Sequence, residues 1–117
     1  MEDIQITIKN LRYRKPTESY QVRVDRTSVL GNPFFLTDKN SQSERNYICD
    51  CYDWYFRDKI KKDEKIQKEI ERLKYIAIKY RKLELFCWCA PLRCHAETIK
   101  NYLEEEVRKM SNDGGKL

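Results

Sequence analysis

The sequence predicts a small single-domain α/β sandwich with a short, mostly parallel sheet and about three helices. Three observations predict it. Two N-terminal stretches alternate apolar and polar residues; two long middle stretches place apolar residues three and four apart; a nearly continuous apolar run then leads into a last helical pattern. The first alternation is Ile4, Ile6 and Ile8, the signature of a half-buried strand. The second is Tyr20, Val22 and Val24, with Gln21 and Arg23 on the opposite face. Leu30, Gly31, Asn32, Pro33 and Phe34 then form a turn, in which Gly frees the backbone and Pro stops a continuing ladder. After a polar loop from Thr37 to Ser43, the residues Ile48, Cys51, Tyr52, Tyr55 and Phe56 mark one face of a helix.

Asp63 is a helix N-cap by residue type, and Ile66, Ile70, Leu73, Ala77 and Tyr80 form the stripe of a second helix. The run Leu83 to Cys89 reads as a strand covered on both faces and therefore central. The last helix is expected to begin near Cys94, with Ala96, Ile99, Tyr102, Leu103 and Val107 inward. Residues 1–110 make the domain and residues 111–117 a flexible tail. The aromatic residues Trp54, Tyr55, Phe56 and Trp88 are expected in the core because of their periodic placement.

The 117 residues carry 24 Lys plus Arg against 19 Asp plus Glu, a formal charge of +5. One domain of this length can bury an ordinary core, and a 40% hydrophobic fraction excludes a disordered tail. No apolar run approaches the roughly 18 residues that span a bilayer, so no membrane association is expected. Glu2 and Asp3 follow Met1 where a secretory leader would be basic, so a cytoplasmic location is expected. In such a compartment thiols are unpaired, catalytic or metal-bound, and five cysteines cannot all pair. Acidic residues are interleaved with the basic ones, so the charge alone points to no nucleic-acid track.

The densest chemistry is Cys87-Trp88-Cys89-Ala90-Pro91-Leu92-Arg93-Cys94-His95, which holds three thiols and the sole histidine. On a strand, Cys87 and Cys89 would share a face, while Cys94 and His95 would lie at the strand-to-helix turn, where open α/β sheets bind ligands. The first N–H groups of that helix would attract an anion. Three readings of this cluster stand side by side. Zinc could bind Cys87, Cys89, Cys94 and His95, although the spacing lacks paired C-x2-C knuckles. Cys94 beside Arg93 could be a nucleophile, with His95 or Glu97 as acid or base. Finally, the thiols could simply pack and cap the helix.

The block from Cys87 to His95, preceded by Leu30-Gly31-Asn32-Pro33-Phe34, resembles the bacterial and bacteriophage family named domain of unknown function 4326. Both blocks occur in order, and the resemblance covers nearly the whole chain apart from the charged stretch Lys59 to Lys82. It implies a strand entering a G-N-P-[F/Y] turn, then helices, then a strand whose C-W-C-x-P-x-x-C-H motif opens the last helix. A phage origin is also implied, but no activity. A more distant similarity is to another uncharacterised group whose last helix opens with Cys-His-Arg; here Ala96 stands in place of that Arg.

These readings converge on one expectation: a pocket that binds a nucleotide-like or phosphorylated small molecule. Its residues would be Arg26, Gly31, Asn32, Pro33, Cys89, Arg93, Cys94 and His95, with Asn32 reading a polar ligand edge. The pocket requires strand two and the last strand to be neighbours. Three alternatives accompany it. One is a phage accessory or counter-defence protein that sequesters a signalling nucleotide or blocks a host protein. Another is a Cys-dependent transferase or hydrolase on a nucleotide-type substrate. The last is a zinc-stabilised module that meets nucleic acid through Arg12, Arg14 and Lys15. The charged helices also leave room for a homo-oligomer face.

Overall fold

The computed structural model describes residues 4–89 and 92–112. Strand β1 (Gln5–Asn10) and the short β2 (Gln21–Arg23) come first, then helices α1 (Gln42–Lys62) and α2 (Glu64–Tyr80), strand β3 (Lys82–Cys87) and helix α3 (Ala96–Asn112). The sheet order is β1-β3-β2, and β3 pairs with both neighbours in parallel. The central placement of the apolar run is thus as expected, as is the adjacency of strand two to it.

Each element starts and stops for a local reason. Ser41 caps α1, its Oγ accepting from the Glu44 N–H at 3.1 Å, and the Glu44 carboxylate reaches back to the Thr37 hydroxyl at 2.6 Å. Asp63 ends α1 and caps α2, its carboxylate accepting from the N–H groups of Lys65 and Ile66. Arg81 takes a left-handed conformation at φ 60° and turns the chain from α2 into β3.

The core forms around Leu83, Leu85 and Cys87 of β3. It gathers Ile6 and Val22 from the outer strands, Ile70 and Leu73 from α2, Ile99 and Leu103 from α3, and Tyr52 and Phe56 from α1. Helices α2 and α3 pack on the sheet, and α1 packs on both. On the other parity of β3, Phe86 is fully buried and Glu84 accepts from the Gln21 amide at 2.8 Å. The strand is therefore covered on both faces, which explains why it reads as continuous apolar sequence.

Two expectations are corrected. The last strand stops at Cys87 rather than Cys89, and beyond it the Leu92 N–H donates to the Cys89 carbonyl at 2.8 Å. Cys87 and Cys89 therefore do not share a strand face. Trp54 and Trp88 are not core residues: they are 72% and 58% exposed, while Tyr55 is half-buried and Phe56 buried. Apolar spacing alone does not distinguish the helix stripe from its flank. Helix α3 runs from Ala96 to Asn112. Residues 113–117 of the expected tail, and Ala90 and Pro91 of the expected strand break, lie outside the described residues. No helix among the described residues is long and apolar enough to cross a membrane.

Candidate functional site

In a parallel sheet all carboxyl ends emerge on one edge, and here the register brings them level. Asn10 pairs with Cys87 and Arg23 with Phe86. The segments that leave β1, β2 and β3 (Arg12 and Tyr13; Asp25 and Arg26; Trp88 and Cys89) therefore open on a common cleft of about 850 Å³. The loop before α1 and the first turns of that helix close its far side with Asn32, Phe34, Phe35, Lys39, Arg45 and Cys49.

The cleft is strongly cationic. Arg12, Arg23, Arg26, Lys39, Arg45 and Arg93 line it against a single carboxylate, Asp25. Arg23 pairs with Asp25 at 2.5 Å, and Arg93 pairs with Asp50 at 2.8 Å. No carboxylate among the described residues neutralises the other four cations by ion pairing. Arg26 donates to the Phe34 carbonyl at 2.7 Å and lies 4.1 Å over the Phe35 ring. Arg45 is only 7% exposed and donates to the Lys39 carbonyl at 3.1 Å. A buried guanidinium brings a fixed positive charge to the wall it lines.

Asp25 organises the strand-two side. It accepts from Arg23, from the Thr27 hydroxyl at 2.6 Å and from the Trp88 indole N–H at 2.9 Å. Burial would raise its pKa, but these bonds and the Arg23 charge outweigh burial and hold the carboxyl well below the usual range. Gly31 is needed because a Cβ there would stand 2.6 Å from Arg26 Cα and 2.7 Å from the Asp25 carbonyl oxygen. Asn32 forms an Asx turn, its side-chain oxygen accepting from the Phe34 N–H at 2.9 Å.

Two buried rings hold this loop to the helices. The Tyr52 hydroxyl donates to the Leu30 carbonyl at 2.7 Å, and the His95 Nε2–H donates to the Val24 carbonyl at 2.5 Å, with the rings edge to face 5.0 Å apart. Burial lowers the His95 pKa, outweighing the Val24 carbonyl that raises it. The imidazole is therefore a neutral donor, and its Nε2 is committed to the backbone.

The expected anion site at the start of α3 is also already occupied by the protein. The Ala96 N–H bonds the Cys94 thiol, the Glu97 N–H bonds the Cys94 carbonyl, and the Thr98 N–H bonds the His95 carbonyl. The chain supplies its own capping acceptors, so the cationic character of the cleft comes from side chains.

Of the expected binding residues, Arg26, Asn32, Cys89, Arg93, Cys94 and His95 line the cleft together, while Gly31 and Pro33, and the expected acid or base Glu97, lie outside its lining. The three thiols do converge. Cys94 Sγ lies 3.1 Å from Cys87 Sγ, and Cys94 lines the cleft together with Cys89. No group of three or more His, Cys, Asp or Glu side chains among the described residues is arranged to hold a metal ion. Hydrogen bonds to Cys87 and Cys89, together with burial, push Cys94 far up, away from a nucleophile's range. Cys89 moves the other way: the Cys94 hydrogen bond and the Arg45 guanidinium overcome burial and hold it at about 6, against an ordinary 9.0. Sequence reasoning chose Cys94 because helix starts acidify thiols, but the acidifying cation, Arg45, comes from α1.

Arg45, Asp25 and Trp88 are the residues that sequence reasoning left out of the site. Arg45 carried a readable signal, since it falls on the stripe of Ile48, Cys49, Tyr52 and Phe56, where a charge calls for explanation. Asp25 carried a weaker one, as an acid between Arg23 and Arg26.

Fold and site together define a small parallel α/β domain with a basic, aromatic-rimmed cleft at the carboxyl edge of its sheet. Sequence comparison gives the family: residues 8–105 match the domain of unknown function DUF4326, and the chain belongs to it. Neither the curated proteins nor the solved structures compared contain a match.

Proposed function

We propose that this domain binds a nucleotide-like or otherwise phosphorylated small molecule in the cleft at the carboxyl edge of the sheet. The observation that carries the reading is the lining itself: six cations against one carboxylate, with four of the cations lacking a carboxylate partner among the described residues. The volume suits a single small molecule, since ligand clefts run from about 300 to about 1,000 Å³. Exposed Tyr13, Phe35 and Trp88 on the rim offer faces on which a base could stack. Arg12 and Arg26 are the phosphate ligands in this reading, with Arg45 supporting them from beneath. A phage-encoded protein that sequesters a signalling nucleotide in the cytoplasm would need no more than this cleft, and binding requires no chemistry.

Thermal-shift and calorimetric titrations test it with adenosine, AMP, ADP-ribose, a cyclic dinucleotide and inorganic phosphate. At least one phosphorylated compound should raise the melting temperature while adenosine does not. Arg26→Ala should then weaken its affinity about tenfold or more, the loss of one charge-assisted hydrogen bond. A flat response to every phosphorylated compound at millimolar concentration overturns the reading.

A further inference from the structure

The cleft holds more positive charge than a single phosphate neutralises, and that charge sits at more than one depth. Of its six cations, Arg23 is met by Asp25 and Arg93 by Asp50, which leaves Arg12, Arg26, Lys39 and Arg45 without a carboxylate partner among the described residues. The Cys89 thiol, held at about 6, offsets one of the four at neutral pH, so three positive charges remain. A phosphate monoester carries about two negative charges near pH 7, and each further phosphate of a chain adds about one. A monophosphate leaves the cleft charged, whereas a chain of two or more phosphates balances it.

Depth orders these groups. Tyr13, Phe35 and Trp88 are exposed, and so are Arg12 and Arg26. Arg45 is buried yet lines the same cleft, so it belongs to the inner wall. Its guanidinium donates to the Lys39 carbonyl at 3.1 Å, which ties it to the loop that carries Lys39. The same loop orients Arg26 through the Phe34 carbonyl and the Phe35 ring. A base stacked on the exposed rings and an anion at Arg45 are therefore opposite ends of one ligand, and the anionic end enters first.

We infer that the ligand of this cleft is a nucleoside di- or triphosphate whose phosphate chain ends at Arg45, an inference that rests on the nucleotide reading above. The base stacks on the exposed rings, Arg12 and Arg26 hold the phosphate next to the sugar, and Lys39 and Arg45 take the phosphates beyond it. A chain capped by a second sugar places a neutral group where Arg45 requires charge, so ADP-ribose is a poorer ligand than ADP. Arg45 is thereby the residue that separates a polyphosphate from a monophosphate.

Calorimetric titration of the full chain, in EDTA and at low salt, tests the inference with AMP, ADP, ATP, ADP-ribose and inorganic triphosphate. ADP should bind at least about tenfold tighter than AMP, the gain of one charge-assisted contact, and by a similar factor tighter than ADP-ribose. ATP should bind at least about tenfold tighter than inorganic triphosphate, which has no ring to stack. Arg45→Gln should reduce the ADP-to-AMP affinity ratio to below about threefold, with the fold of the variant checked by circular dichroism. Lys39→Ala, at an exposed position, should narrow the same ratio and serves where Arg45→Gln does not fold.

Three results overturn the inference while leaving the binding of phosphorylated compounds intact. AMP, ADP and ATP bind within about threefold of one another; ADP-ribose or inorganic triphosphate matches the corresponding nucleotide; or the ADP-to-AMP ratio is unchanged in every folded variant. If none of the five compounds binds at millimolar concentration, the underlying nucleotide reading fails and this inference fails with it.

Discussion

Asp25 and His95 stand on opposite sides of the same loop, and each fixes the protonation of its neighbourhood. Asp25 gathers Arg23, Thr27 and Trp88, so the indole that frames the cleft is held by a charge-assisted bond rather than by packing. His95 faces the Val24 carbonyl and the Tyr52 ring, with Arg26 and Asp25 as its nearest charges. Because burial depresses its folded pKa, the unfolded chain binds a proton more readily once the pH drops below about 6.5. Its stabilising contribution is complete above that pH and is lost progressively as the pH falls towards the folded value. Cys89, also depressed, acts in the same direction from about 9 down to about 6. Denaturation is therefore best compared at pH 7.5 and 5.5 in Cys89→Ser. The urea midpoint should fall with pH, the unfolding free energy dropping by at most about 1.4 kcal/mol per pH unit, and the His95 ring should titrate by NMR below 6.5. A midpoint that rises on acidification, or a ring that titrates above 6.5, contradicts the buried neutral imidazole.

At the scale of elements, the junction between α1 and α2 is made by one side chain. Asp63 ends one helix and satisfies the N–H groups of Lys65 and Ile66 in the next. Replacing Asp63 by Ala should cost about 1 kcal/mol in urea denaturation without altering ligand affinity, since the junction is not part of the cleft lining. A loss near zero would show that packing of Ile60 and Ile66 holds the junction without the cap. This cap was legible in the sequence because capping depends on residue type at a given position. Central β3 was legible for a similar reason, because burial on both faces leaves an unbroken apolar run. The end of β3 was not legible, since Cys89 is set by a turn bond through Leu92 that no periodicity encodes. Trp54 and Trp88 were misplaced because a large aromatic ring satisfies an apolar pattern whether it is buried or exposed.

For the whole molecule, the cleft is a consequence of topology. Three parallel strands with β3 central deliver three basic or aromatic segments to one edge, and α1 adds Arg45 and Cys49 from across the gap. Sequence reasoning reached Arg26, Asn32, Cys89, Arg93, Cys94 and His95 because local motifs mark them. It missed the partnership of Cys89 with Arg45, residues far apart in the chain and joined only by the fold. Membership of the family rests on the match over residues 8–105, and the fold brings the two motif blocks together: the Gly31 turn lies against the Asp25–Arg26 backbone, and the His95 ring bonds the Val24 carbonyl beside it.

The two tryptophans allow this account to be tested within one spectrum. Trp88 lines the cleft and donates its indole N–H to Asp25, while Trp54 is exposed on α1 outside the cleft lining. In a proton–nitrogen correlation spectrum each gives its own indole resonance. Titration with a phosphorylated nucleotide should move the Trp88 indole resonance in a saturable way and leave the Trp54 resonance in place. A Trp88 resonance that stays fixed at saturating nucleotide, or two indole resonances that drift together without saturation, would contradict a nucleotide site at the carboxyl edge of the sheet.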